Sequence, residues 1–484
     1  MTITDRRARW FALIVLCLGD LMIVLDTTIV NVALPSIRKD LGFSEASLAW
    51  VVNAYVLTFG GCMLLGGRLG DLYGHRRLFL SGIGVFTAAS VACGLAQSQQ
   101  VLVGARVVQG IGGAVVSAVA LSLIMTLFDD PTERTKAMGV FGFVMAAGGS
   151  IGVLAGGVLT DTLNWHWVFL VNVPIGAAVV ALAFAVIPAG GGARGTRLDV
   201  GGAVTVTASL VCAVYAIVNG SAAGWRSGQT LGMLAVSAVL LVAFVTIESR
   251  VAAPLVPLRL FRNRNLTTAN IIGMLWSAAM FAWFFLSALY LQFVLGYSPL
   301  EVGLAFLPAN LIMGGFSLGL SAKIVMRFGI KAPLATGMAL VGVGLLLFAR
   351  APVGGSFVAD VLPAMLVLGV GVGLAFNPVL LAATSGVDPS EAGLASGVAN
   401  TGFMMGGALG LAVLASLAAS KSQSLRAVGH DAASALNGGY HVAFVVGAAF
   451  AGAAFVAATL LRSAPSPGPS ALMDTTDDVD LVRQ

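Results

Sequence analysis

The sequence predicts an all-α polytopic membrane protein with 14 transmembrane helices. Three observations lead there. Of its 484 residues, 58% are hydrophobic and only 10% charged, with a mean hydropathy of +0.96; a soluble chain would be about 25% charged. The apolar residues gather in runs of about twenty, the length that crosses a hydrocarbon core at about 1.5 Å per residue. The basic residues crowd into alternate loops, as the positive-inside rule requires.

The spans fall at about 10–33, 46–66, 78–96, 101–127, 137–160, 167–187, 199–218, 230–248, 267–293, 300–321, 332–349, 358–382, 393–419 and 438–461. Arg6, Arg7 and Arg9 precede the first run as in a signal peptide. That run is too long for a signal core, carries Asp20 and Asp26, and has no small-x-small cleavage site, so it reads as an uncleaved span. An even number of spans puts both termini on one side. Nineteen Lys and Arg fall on that side and six on the other, with Arg106 inside a span. Both termini are therefore expected in the cytoplasm, with the chain in the inner or plasma membrane.

No loop is long enough to fold by itself. Pro188–Leu198 reads as a linker, and the Pro- and Asp-rich tail from Ser463 as disordered. The 61 glycines have no short period and suit close helix packing in lipid. Cys17, Cys62, Cys93 and Cys212 lie in apolar runs without paired spacing and read as small core residues. No two of the four histidines have metal-site spacing, and His441 reads as interfacial. There is no Gly-x-x-x-x-Gly-Lys phosphate loop, so ATP hydrolysis by that route is not expected. The net charge of +5 reflects topology rather than nucleic-acid binding.

A faint repeat divides the chain. Gly67–Gly74 matches Ala322–Gly329 at an offset of 255, and Gly148, Gly149 and Gly152 match Gly406, Gly407 and Gly410 at 258. Two halves of six spans follow, with spans 7 and 8 between them. The expected units are 1–187, an inserted pair at 188–266, a second bundle at 267–462 and a tail at 463–484. The first half carries the charges; Met326 stands where Asp71 would recur, and Met365 near the counterpart of Arg106.

Five stretches carry chemistry. In span 1, Leu25-Asp26-Thr27-Thr28-Ile29-Val30-Asn31-Val32-Ala33-Leu34-Pro35 holds a carboxylate in an apolar run. An Asp at the centre of a spanning helix costs roughly 2.5–3.5 kcal/mol, so it is expected to have a use or a partner. Asp20 is a second acid, about 9 Å deeper and turned by roughly 120°. In span 4, Arg106-Val107-Val108-Gln109-Gly110 places a guanidinium about 8 Å below the outer boundary, near the ~10 Å depth of Asp26. Arg106 within reach would set the affinity of Asp26 for protons; a static pair for folding is the plainer reading.

Between spans 2 and 3 lies Gly67-Arg68-Leu69-Gly70-Asp71-Leu72-Tyr73-Gly74-His75-Arg76-Arg77. In span 5, Gly148, Gly152 and Gly156 share one face, followed by Gly157, and predict close contact with a helix of the other half. The fifth stretch, Trp165 to Gly176 at the entry to span 6, reads as a structural aromatic anchor.

Six, two and six spans with these motifs resemble the major facilitator superfamily, specifically its fourteen-span drug:proton antiporter family (EmrB/QacA type), over nearly the whole chain. The resemblance implies the major facilitator fold and a proton-coupled exporter of lipophilic, often cationic drugs, not an enzyme. It implies proton coupling at Asp26, with Arg106 and Asp20 as further candidates. It makes Gly67, Asp71, Gly74, Arg76 and Arg77 the cytoplasmic gate, its basic residues pairing across the two halves. It makes Gly148, Gly152, Gly156 and Gly157 the antiporter motif. Leu72 and Val153 depart from the family pattern, which has a basic residue and Pro there.

Polar and aromatic residues in apolar spans are the substrate candidates: Asn53, Tyr55, Gln109, Trp276, Trp283, Tyr290, Gln292, Asn310, Asn377 and Asn400; their aromatic faces suit cations. The expected partners are a lipophilic small molecule, protons and membrane lipid, with a monomer, no cofactor, no metal and an envelope adaptor left open. Export of a native metabolite, antibiotic, siderophore or lipid is the alternative. A membrane enzyme or receptor would need an interfacial cluster of ionisable or metal-binding residues, which the sequence lacks.

Overall fold

The apolar runs fold as helices because a bilayer leaves no water to satisfy backbone groups. The computed structural model describes residues 6–128, 130–187, 199–251, 254–316, 320–385, 387 and 392–461. Sixteen α-helices are found among them: α1 (Arg6–Leu41), α2 (Trp50–Tyr73), α3 (His75–Gly94), α4 (Gln99–Leu127), α5 (Pro131–Thr162), α6 (Trp167–Leu170), α7 (Asn172–Val186), α8 (Val200–Ala223), α9 (Gly228–Arg250), α10 (Arg264–Phe293), α11 (Pro299–Gly315), α12 (Ser321–Phe328), α13 (Lys331–Phe348), α14 (Leu362–Thr384), α15 (Ala392–Ala427) and α16 (Ala432–Thr459). The linker at 188–198 and the tail from Ser463 lie outside the described residues.

Local chemistry sets the helix starts. Ser98, Asp130, Asp199, Ser227 and Asp431 each accept a hydrogen bond from an amide of the following first turn. Ser298 and Glu301 form a reciprocal capping box at α11, with Pro299 in the first turn. Gly74 joins α2 to α3 at φ 91°, a conformation that favours glycine.

Among the described residues, twelve helices are long and apolar enough to cross a membrane. Shorter apolar stretches, Ile151–Thr162 in α5 and Pro299–Gly315, occupy expected spans 5 and 10. Span 6 carries a local irregularity at Val171, between α6 and α7, within one membrane-crossing stretch, Trp167–Val186.

Helices α1–α7 and α10–α16 form two bundles. In the first, α1 packs on α5, and α4 on α2 and α3; in the second, α10 packs on α15 and α16, and α13 on α14. The bundles meet where α5 faces α11 and α2 faces α15. Helix α8 lies against α2 and α15 together. Its hairpin partner α9 turns Leu231, Val239 and Val242 outward, as a lipid-facing helix does.

Candidate functional site

The charged residues of the spans converge inside the first bundle. Arg106 on α4 donates from an Nη to Asp26 on α1, and both side chains are fully buried. The same Nη reaches Gln109 Oε1 at 2.7 Å, and Arg106 Nε donates to the Val51 carbonyl at 2.9 Å. The guanidinium lies over Tyr55, 4.3 Å from its ring centre, with Phe169 at 5.6 Å on α6. Arginine suits this place because its planar fork donates in several directions and stacks on rings.

Two amides complete the first shell of the carboxylate. Gln109 Nε2 donates to Asp26 Oδ1 at 2.7 Å, and Asn172 Nδ2 donates to the same oxygen at 2.9 Å. Ser90 on α3 lies behind them and accepts from Gln109 at 2.8 Å and from Asn172 at 3.4 Å. Asp26 therefore ties α1 to α3, α4 and α7 through one buried network. Asn172 and Ser90 escaped the sequence reading. The signal for Asn172 was an amide within an apolar run beside Pro174, in a stretch read as a structural anchor. Asp20 is also fully buried; it accepts from Ser117 on α4 through Oδ1, and its Oδ2 has no partner.

The candidate residues take several different positions. Asp26 faces the interior of its own bundle. Tyr55 and Gln109 belong to the same network, and Asn53 is fully buried. Tyr290 donates to the Pro352 carbonyl at 2.9 Å within the second half. Gln292 donates to the Val32 carbonyl at 2.8 Å and so joins the two bundles. His441 and Asn437 both meet the Ala351 carbonyl. Trp283 is buried against Phe284 and Phe306. Asn310 is buried, whereas Asn377 and Asn400 are half-buried; Trp276 touches Phe376 and Phe403.

The glycine face of α5 has a different partner from the one expected. A Cβ on Gly148 would lie 3.0 Å from Val24, on Gly152 3.0 Å from the Leu25 carbonyl, and on Gly156 2.5 Å from that of Ile29. These glycines therefore fit α5 to α1 of the same half, beside Asp26. Only Gly157 of the group meets the other half, where a Cβ would lie 2.7 Å from the Pro299 carbonyl.

In the α2–α3 motif, Gly67 is half-buried, Gly74 makes the turn, Arg77 is exposed and the Asp71 side chain lies outside the described residues. Arg76 donates to the Phe184 carbonyl at 2.6 Å and lies over that ring, both within its own half. It does not make the cross-bundle pairing that the resemblance implied.

Such pairing is found at the opposite end. Glu45, before α2, accepts from Arg38 at 3.5 Å and from Arg426 of α15 at 3.0 Å. Arg38 also lies over Phe293, 5.0 Å from its ring centre. Gly303 of α11 meets the Val153 carbonyl nearby, where a Cβ would lie 3.1 Å away.

Two helical bundles with a helical pair beside them, and a buried Asp–Arg network in the first, correspond to a known family. The Major Facilitator Superfamily model matches residues 16–411. The chain belongs to that superfamily. It is 40% identical over 408 residues to the cephamycin export protein CmcT of Amycolatopsis lactamdurans, covering 83% of this chain and 84% of that protein. It is 36% identical over 448 residues to the puromycin resistance protein pur8 of Streptomyces alboniger, covering 91% and 89%. It is 35% identical over 415 residues to the multidrug resistance protein Stp of Mycobacterium tuberculosis, strain CDC 1551 / Oshkosh, covering 85% and 76%. This major facilitator protein is a multi-pass membrane protein of a transporter family.

Proposed function

We propose that this protein exports antibiotic-like lipophilic compounds in exchange for protons, acting as a monomer by alternating access in the inner or plasma membrane. Both termini lie in the cytoplasm in this reading, and it needs no cofactor beyond the proton gradient and no catalytic residue. The relatives named for antibiotic export and drug resistance support the export class.

The buried Asp26 network supports the coupling. One carboxylate holds donors from two other helices, and a third helix backs them. A proton on Asp26 removes the charge that Arg106 answers and weakens every bond that ties α1 to α4 and α7. Those helices carry one wall of the transport path, so protonation and rearrangement share one set of bonds. Asp20 is the second proton site of the reading, since its Oδ2 has no bond to give up.

With the termini inside, the contacts among Val32, Glu45, Gly157, Gln292, Pro299 and Arg426 lie at the outer end. The arrangement is then a closed outer gate, with access from the cytoplasm. One proton falling through roughly 150 mV releases about 3.5 kcal/mol. That supports a gradient of roughly 300-fold for a neutral substrate.

Dye efflux from energised inverted vesicles tests this. Wild type should pump, an uncoupler should stop it, and Asp26→Asn should abolish uphill transport while leaving downhill exchange. Full uncoupler-sensitive pumping by Asp26→Asn would move the coupling role to Asp20. Export of a native antibiotic is the second reading, favoured by the similarity to the cephamycin exporter; a neighbouring biosynthetic gene would support it.

A further inference from the structure

The second bundle holds an aromatic cluster that the Asp26 network leaves unused. Trp276 of α10 lies 5.5 Å from Phe376 of α14 and 6.0 Å from Phe403 of α15, ring centre to ring centre. Trp276 stands about 18 Å from the start of α10, close to mid-membrane. Its Nε1 is buried and has no hydrogen-bond partner. A buried indole N–H without a partner costs roughly 1–3 kcal/mol unless something accepts it. Thr401 Oγ1, two residues from Phe403, is likewise buried without a partner.

Helix geometry places this cluster next to the face of α15 that meets α2 of the other bundle. On α15, Gly402, Gly406 and Gly410 face α10, Met404 and Gly397 face α2, and Ser416 faces α8. At 100° per residue, Asn400 projects between α10 and α2, on the side away from α8, while Phe403 turns onto α10, where its ring would meet a Cβ on Gly273 and is almost fully buried. Phe376 is 38% exposed although its ring contacts Trp276 of the same bundle, and Asn377 beside it is half-buried.

The charge pattern narrows what fits. The sequence carries no Asp, Glu, Lys or Arg at 265–293, 362–384 or 392–420. In the first bundle, Asp26 and Asp20 are fully buried, and Asp26 is already matched by Arg106. The carboxylates that α1 and α5 do expose, Asp40 and Asp161, lie near their helix ends; the mid-membrane stretches of α10, α14 and α15 display none. At close to the repeat offset, Asp20 on Ser117 in the first half is replaced by Trp276 on Phe376 in the second. An acid and a hydroxyl give way to two rings and an N–H donor.

We infer that Trp276, Phe376 and Phe403 form a substrate subsite for uncharged, planar aromatic molecules carrying a carbonyl acceptor. The rings take the aromatic faces, Trp276 Nε1 donates to the carbonyl, and Asn377 and Asn400 line the wet edge. This rests on the exporter reading and narrows its substrates away from lipophilic cations.

Nile red, an uncharged carbonyl-bearing dye, and ethidium, a cation of similar ring size, separate the two charge classes. Equilibrium binding to the purified full chain reads the site, and transport in energised inverted vesicles reads export. Trp276→Phe keeps a ring and removes the donor, so the Kd and KM for Nile red should rise about three- to tenfold with maximal rate unchanged. Phe376→Leu keeps the donor and should also weaken Nile red binding, which guards against a folding artefact in one variant. Ethidium should bind at least tenfold more weakly than Nile red, and neither substitution should alter it.

Equal affinity for ethidium, or a Nile red Kd within twofold of wild type in both variants, overturns the inference. Binding that shifts as expected without uncoupler-sensitive transport overturns the exporter reading and leaves the subsite. Transport without any shift overturns the subsite and leaves the exporter. Neither binding nor transport of Nile red overturns both.

Discussion

Removing Arg106 would leave the Asp26 carboxylate buried with two amide donors and no positive partner. Breaking one side of a buried pair costs about 3–5 kcal/mol, mostly from the charge left behind. Arg106→Ala should therefore lower thermal stability in detergent much more than the double change Asp26→Asn with Arg106→Ala. Equal losses would mean that packing of the long side chain on Tyr55, not charge, dominates. Asn172→Ala tests the neutral part of the network. It deletes a donor to Asp26 at 2.9 Å and should cost about 1–3 kcal/mol. If it acts on the carboxylate, the pH profile of transport should move as well; unchanged pH dependence would leave Asn172 a packing residue.

Depth along a helix was legible at this scale, because a fixed rise per residue turns sequence position into height. It put Asp26 and Arg106 at nearly the same level, and the structure has them in contact. Direction was less legible. Whether Asp26 faces the middle of its bundle or a gap between bundles depends on which helix lies where, and no single-helix pattern holds that. Asn172 was missed for a related reason. Its amide reaches Asp26 from another helix, a contact that the pattern of span 6 by itself does not hold.

Between elements, small residues announce a close approach without naming the partner. The three glycines of α5 were expected against the other half but lie on α1, because α1 and α5 pack together along the flank of the Asp26 network. The consequence is testable by position. Gly156→Ala would place a methyl 2.5 Å from the Ile29 carbonyl and force the helices apart, costing about 1–3 kcal/mol. Gly149→Ala, about two turns away, meets nothing within 4 Å and should be neutral or slightly stabilising. Melting of the two variants in detergent separates the cases. If both were neutral, the tight fit of α1 to α5 would be wrong, and with it the link from Asp26 to the α5–α11 contact.

At the scale of the whole molecule, the two bundles are held at one end by Glu45, which joins Arg38 of its own half to Arg426 of the other. The motif expected to bridge the halves instead gives an Arg76 bonded inside its own half, so this described end carries an ionic clasp of its own. A partly exposed pair contributes roughly 0.2–1 kcal/mol. That is too little to lock a transporter, yet enough to shift the ratio of its two forms up to about fivefold. Glu45→Gln should therefore raise the population open at this end by about two- to fivefold, and Arg426→Gln should do the same. The double variant should add little beyond either, since both remove one interaction. The measurement is the rate of disulfide formation between Cys introduced at Val32 and Gln292, in a background lacking the four native cysteines. Those positions touch when this end is closed, so cross-linking should slow in both single variants. Additive slowing in the double variant would mean that Glu45 and Arg426 act through separate contacts.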